Sequence, residues 1–201
     1  MITIYHVPGT RSVRPIWVCE ELDIEYETIT VDFSVEYRKS AEWRKLNPVG
    51  KVPAMTDGEL KMFESGAMVQ YILDRYGNGK LQPEQGSPEH ALYLQWSWFA
   101  EATFARPLGE IVNHNRVFGD DARPDAIEEM QARSHLCMQA LDDELATKPF
   151  LLGETFSAAD IMVGYSMMLC ERLAPTDAYP VATRYWEALK ERSACVRAMN
   201  V

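Results

Sequence analysis

Asn47-Pro48-Val49-Gly50-Lys51-Val52-Pro53-Ala54-Met55-Thr56-Asp57-Gly58-Glu59-Leu60-Lys61-Met62-Phe63-Glu64-Ser65 decides the fold. Asn47 to Gly50 has turn composition, because Pro fixes φ and Gly permits φ > 0. Val52 to Met55 is short and apolar, and Pro53 restricts it to a strand start or a sheet edge. Asp57-Gly58 is a two-residue hairpin signal, so Leu60 to Phe63 is the return strand. Ser65 is then placed to N-cap a helix running to Tyr76, since Met68, Ile72 and Tyr76 recur every four residues. A strand pair therefore delivers the chain into a helix N-terminus, where free N–H groups and the positive dipole end favour a carboxylate or phosphate.

Upstream, Ile2 to His6 alternates as a strand, Val7 to Arg11 is a loop, and a helix is expected from Ser12 to Leu22. Glu25 to Val31 reads as a second strand, and Val35 to Leu46 as a loosely held helical segment. Downstream, Gly77-Asn78-Gly79 ends the helix, and the Pro- and Gly-containing segment that follows is a linker. The expected division is a first domain over 1–79, a linker over 80–87 and an all-helical domain over 88–201. In the second domain a long helix is expected to Asn115 with a kink at Pro107, then one over 125–147. Ser157-Ala158-Ala159-Asp160 is a capping box opening a helix to Leu173, and a last helix is expected over 181–193.

The formal net charge of −10 repels phosphate backbones, so no nucleic acid partner is expected. No apolar run approaches the roughly 18–20 residues of a membrane span, and the N-terminus lacks the pattern of a signal peptide. No membrane partner and a cytoplasmic location follow as expectations. Cys19, Cys137, Cys170 and Cys195 are scattered, which argues against a disulfide framework and against paired-thiol redox chemistry. The dispersed histidines give no metal-ligand spacing, so no metal is expected.

Asn47-Pro-x-Gly-Lys-Val-Pro followed by Glu64-Ser65 closely resembles the glutathione-binding half of cytosolic glutathione S-transferases. Phe150-Leu-Leu-Gly-x-x-x-Ser-x-Ala-Asp resembles a second motif of that family, one domain away. The resemblance covers nearly the whole chain. It implies a thioredoxin-like N-terminal α/β domain (β-α-β-α-β-β-α, mixed sheet), an all-α C-terminal domain and a homodimer. Glutathione is implied as co-substrate. Val52 before a cis Pro53 would bond its cysteinyl backbone, and Glu64 and Ser65 would hold its γ-glutamyl end. Lys51 and Arg11 are candidate anion partners, Lys51 for the glycyl carboxylate and Arg11 for that site or for the acceptor substrate.

A glutathione thiol is only a few per cent ionised at pH 7, so the protein must stabilise the thiolate with donors. The family places that donor in the loop after the first strand. Three hydroxyls compete there: Ser12 first, then Thr10, then Tyr5. The loop resembles a bacterial and fungal branch carrying Ser-Arg-Ser, with Thr10 in place of the first Ser. It holds no Cys, which disfavours both a mixed-disulfide mechanism and a glutaredoxin-like reductase. The acceptor pocket is expected between the domains, lined by Val7, Pro8, Phe104, Arg106 and Leu108. Glu101 corresponds to an acidic side chain that in related enzymes reaches the partner subunit's glutathione. The implied reaction is attack of the glutathione thiolate on a small apolar electrophile, as in detoxification. Isomerisation or peroxide reduction is a possible side activity. The alternative is a non-catalytic ligand-binding or protein-interaction member of the same fold.

Overall fold

The computed structural model describes all 201 residues, which form two compact units, Met1–Leu81 with Glu191–Val201, and Gln82–Lys190. In the first unit β1 (Ile2–His6), β2 (Tyr26–Thr30), β3 (Ala54–Asp57) and β4 (Leu60–Phe63) make one sheet of order β2-β1-β3-β4. β1 runs parallel to β2 and antiparallel to β3, and β3 and β4 form the expected hairpin, with Asp57 paired to Leu60 and the turn one residue on, at Gly58-Glu59. The helices are α1 (Val13–Leu22), the short α2 (Val35–Lys39) and α3 (Ala41–Arg44), and α4 (Ser65–Tyr76). This is the thioredoxin-like order with a mixed sheet.

α1 is buried continuously from Val13 to Cys19, because it packs against both α4 and the chain's last helix, α10 (Ser193–Met199). That last helix departs from the sequence expectation, which placed 191–201 with the helical domain. Its docking is electrostatic as well as apolar. Arg192 donates Nε and Nη2 to the two oxygens of Glu21, each at 2.7 Å, while Trp17 Nε1 donates to the same carboxylate at 3.0 Å. Arg197 donates to Glu20, which also accepts from Tyr26. Ala194, Cys195 and Ala198 supply the buried face of α10.

The second unit is all helical: α5 (Pro88–Trp98), a π-helical segment (Phe99–Phe104), α6 (Ala105–Phe118), α7 (Pro124–Glu144), α8 (Ala158–Leu173) and α9 (Pro180–Lys190). Pro107 lies within α6, and the irregularity expected at it sits one turn earlier, as the π segment. A proline ring clashes with the carbonyl four residues back, and a widened turn moves that carbonyl aside. Ser166 Oγ donates to Ala100 O at 2.9 Å and pins the widened turn to α8. The capping box is present at α8, with Ser157 and Asp160 bonding reciprocally. Asp160 also accepts from Leu151 N at 3.0 Å and Tyr185 Oη at 2.8 Å, so four donors meet one carboxyl without accessible surface. No helix is long and apolar enough to cross a membrane.

Candidate functional site

The turn before β3 is built from Asn47. Its Oδ1 accepts from Val49 N at 3.2 Å, its carbonyl accepts from Gly50 N at 3.0 Å, and its Nδ2 donates to Pro53 O at 3.3 Å. Gly50 has φ +64, and a Cβ there would meet Arg38 O at 2.5 Å, so only glycine lets the turn pass under α2. The Val52–Pro53 bond is cis, and the β3 ladder begins at Ala54, leaving Val52 outside it. Val52 and Pro53 are buried, while Lys51 is exposed.

β4 leads directly into α4. Ser65 is the first helical residue rather than the cap. Glu64 holds the cap position with φ 75 and ψ 106, and no side chain caps the helix. A non-glycine residue at such φ is uncommon and is maintained by its surroundings. The first intrahelical bond runs from Met68 N to Glu64 O, so the amides of Ser65, Gly66 and Ala67 have no acceptor in the helix. Behind this end lies Arg14, a residue the sequence reading missed. It carries no accessible surface, and its Nη1 donates to Ser65 Oγ at 3.2 Å. Because an arginine only donates, the Ser65 hydroxyl proton is left to point elsewhere. An uncapped helix end, a hydroxyl and a buried guanidinium thus concentrate positive potential at one place, a fit for a carboxylate. Its sequence signal was available: Arg14 lies among Val13, Ile16 and Trp17, on a helix whose other residues there are apolar.

The loop between β1 and α1 holds the hydroxyls. Thr10 Oγ1 donates to Val7 O at 2.7 Å, Ser12 Oγ donates to the same carbonyl at 3.1 Å, and the two hydroxyls are 2.9 Å apart. Ser12 does occupy the N-cap of α1, but its hydroxyl turns back to Val7 instead of capping. Ser12 is buried and Thr10 half-buried, which reverses their order of access. Tyr5 packs edge-on against Trp43 at 6.2 Å, as part of the small apolar cluster that includes Val52 and Val7.

The glutathione S-transferase N-terminal domain model matches residues 1–74, and the C-terminal domain model matches 124–190. A glutathione S-transferase-like protein, OpS6 of Beauveria bassiana, is 31% identical over 198 residues, covering 94% of this chain and 89% of its own. The chain belongs to the glutathione S-transferase family. The disulfide-bond oxidoreductase YfcG of Escherichia coli is 28% identical over 207 residues, covering 99% of this chain and 94% of its own. Among solved structures, the glutathione transferase URE2P6 of Phanerochaete chrysosporium, in complex with oxidized glutathione, superposes with a TM-score of 0.90. It is 25% identical over 99% of this chain and 94% of its own.

Within this glutathione S-transferase family member, the other expected residues fall as follows. Arg11 and Val7 are half-buried, Pro8 and Glu64 are exposed, and Glu101 is half-buried in the π segment. Arg106 is exposed and pairs with Glu110 at 3.1 Å. Phe104 and Leu108 have no accessible surface, so they are core residues of the helical unit and not walls open to a ligand. Burial pushes the Cys19 thiol up to about 12, with Glu20 adding to it, and Cys137 to about 11. Burial, with Cys137 adding to it, takes Cys170 to about 12.

Proposed function

We propose that the protein is a glutathione-dependent transferase that binds glutathione on its first unit and activates it as the thiolate. The observation that carries this reading is the uncapped N-terminus of α4, backed by the buried Arg14 guanidinium on Ser65. There the γ-glutamyl carboxylate would meet the Ser65 hydroxyl and the first amides of α4, with Glu64 beside its amine. Val52, outside the ladder, would pair with the cysteinyl backbone as an added strand does. Lys51 and Arg11 would attract the glycyl carboxylate. Thr10 becomes the thiolate donor, with Ser12 behind it and Tyr5 the third choice.

The acceptor is a small apolar electrophile, met on the side of Val7 and Pro8. Side activity as an isomerase or peroxidase uses the same thiolate. A thiol–disulfide activity like that in YfcG's name would run through glutathione sulfur, because the thiols of Cys19, Cys137 and Cys170 are buried and held protonated. A cytoplasmic homodimer completes the proposal, with Glu101 reaching the partner. Exposed apolar side chains support the dimer: Leu60 and Phe63 on the edge strand β4, and Trp98, 67% exposed, on α5.

The alternative, a binding member without turnover, is favoured by one observation: both loop hydroxyls already donate to Val7 O. Ultraviolet titration of bound glutathione separates the two. A thiolate signal well below the free thiol value of about 8.5 is expected for the transferase. Binding with an unshifted thiol would make the protein a carrier, and absence of binding would overturn the reading.

A further inference from the structure

The helical unit carries a half-open cleft of its own, about 190 Å³ in volume, lined by α7, α8, α9 and the α8–α9 loop. Its apolar lining includes Met138, Cys170 and Trp186, each at most 5% exposed. Its charged lining is Glu171, Asp177 and Glu187, and no lining residue is cationic.

The walls are tied to one another through α7. Gln131 Nε2 donates to Leu173 O at 2.8 Å, and His135 Nε2 lies 3.1 Å from Ala174 O, so α7 holds the end of α8. Asp142 Oδ1 accepts from Val181 N at 2.8 Å and Ala182 N at 2.9 Å, so α7 also caps the start of α9. With its walls held this way the space stays open. For comparison, an apolar cavity of about 150 Å³ holds one benzene.

The electrostatics select the charge of an occupant. Glu171 accepts from Lys190 Nζ at 2.9 Å and from Trp186 Nε1 at 3.0 Å, and these bonds keep its carboxyl below the usual range and ionised. Glu187 shares the same ammonium at 2.7 Å. Two carboxylates therefore share one lysine, and Asp177 adds a third negative charge, which leaves the mouth negative. The same lysine stands 5.5 Å from the Trp186 ring centroid, so that ring already takes a cation. Glutathione and its conjugates, being anions, are repelled here.

We propose that this cleft is a binding site for a small organic monocation carrying one apolar ring, such as an aromatic ammonium. The proposal stands whether or not the first unit turns over glutathione. Benzylammonium is the probe, benzoate its anionic counterpart. Calorimetry on the full chain is expected to give saturable one-site binding of benzylammonium, at least tenfold tighter than benzoate. In nitrogen-resolved magnetic resonance the Trp186 indole N–H is expected to shift. Asp177→Lys with Glu187→Lys, both at exposed positions, should weaken benzylammonium at least tenfold with an unchanged circular dichroism spectrum. Ala174→Phe should abolish binding by filling the space. No saturation, equal affinity for benzoate, or indifference to the rim reversal would overturn the proposal.

Discussion

Thr10 and Ser12 pose a question of proton supply. Each has one hydroxyl proton, and Val7 O competes for both. Ser12, buried, has nowhere else to direct its proton except Thr10 Oγ1, 2.9 Å away. Thr10, half-buried, can release Val7 O to Ser12 and turn its own proton to an incoming sulfur. Thr10→Val, which keeps the shape, is therefore expected to slow conjugation of a chlorodinitrobenzene by roughly a hundredfold to a thousandfold, the range for losing one preorganised donor. It should also return the bound thiol towards its free pKa. Ser12→Ala should cost less than tenfold, since Thr10 remains. A larger loss at Ser12 than at Thr10, measured as kcat, would give the role to Ser12. The sequence placed Ser12 ahead of Thr10, and the structure reverses them, because their access is decided by which way each side chain turns. Arg14 was missed for a related reason: arginine is almost never fully buried unless paired, and its partner Ser65 lies 51 residues away.

Helices and strands differ in how much of them local sequence controls. The hairpin signalled by Asp57-Gly58 and the box at Ser157 were legible because turn and cap chemistry act within four residues. The π segment was not, since its fifth residue per turn is held by Ser166 from another helix. α10 was also illegible as a partner of α1: the sequence shows arginines, and their acceptors Glu20 and Glu21 lie more than 170 residues back. Glu21 is only 10% exposed, so removing its partner strands a largely desolvated carboxylate. Arg192→Ala is expected to destabilise the protein by about 1–2 kcal/mol, discounted for the partly exposed arginine. Urea denaturation should show the lower midpoint. An unchanged midpoint would mean that the apolar face of α10 suffices.

The whole chain is acidic, and its response to pH follows from a few groups. Burial holds His6 below its ordinary 6.5, so the folded state resists protonation and stability declines as pH falls below that value. Asp57 is held below its ordinary 3.8 by Tyr76, against burial, with Tyr71 and the Met1 ammonium adding to the effect. Burial would raise Glu20 from 4.5, but hydrogen bonds from Tyr26 and Arg197 leave it lower. Both carboxylates stabilise the fold fully above their ordinary values, and this contribution is lost as pH falls through their lowered ones. Asp160, raised by burial against its four donors, runs the opposite way. Urea midpoints should be level between about pH 7 and 8, decline modestly towards 5.5, and drop further below about 4.5. His6→Asn should remove the first decline, and a persisting decline would assign it elsewhere.

The return of Glu191–Val201 to the first unit also sets a timetable for synthesis. A ribosome makes Met1–Leu81 first, yet α1 cannot cover its outer face until α10 has emerged. All of Gln82–Lys190 must be translated in between. At roughly 5–20 residues per second, that is a wait on the order of ten seconds. During it a nascent chain displays apolar α1 surface that the finished protein hides, and chaperones have that interval in which to shield it.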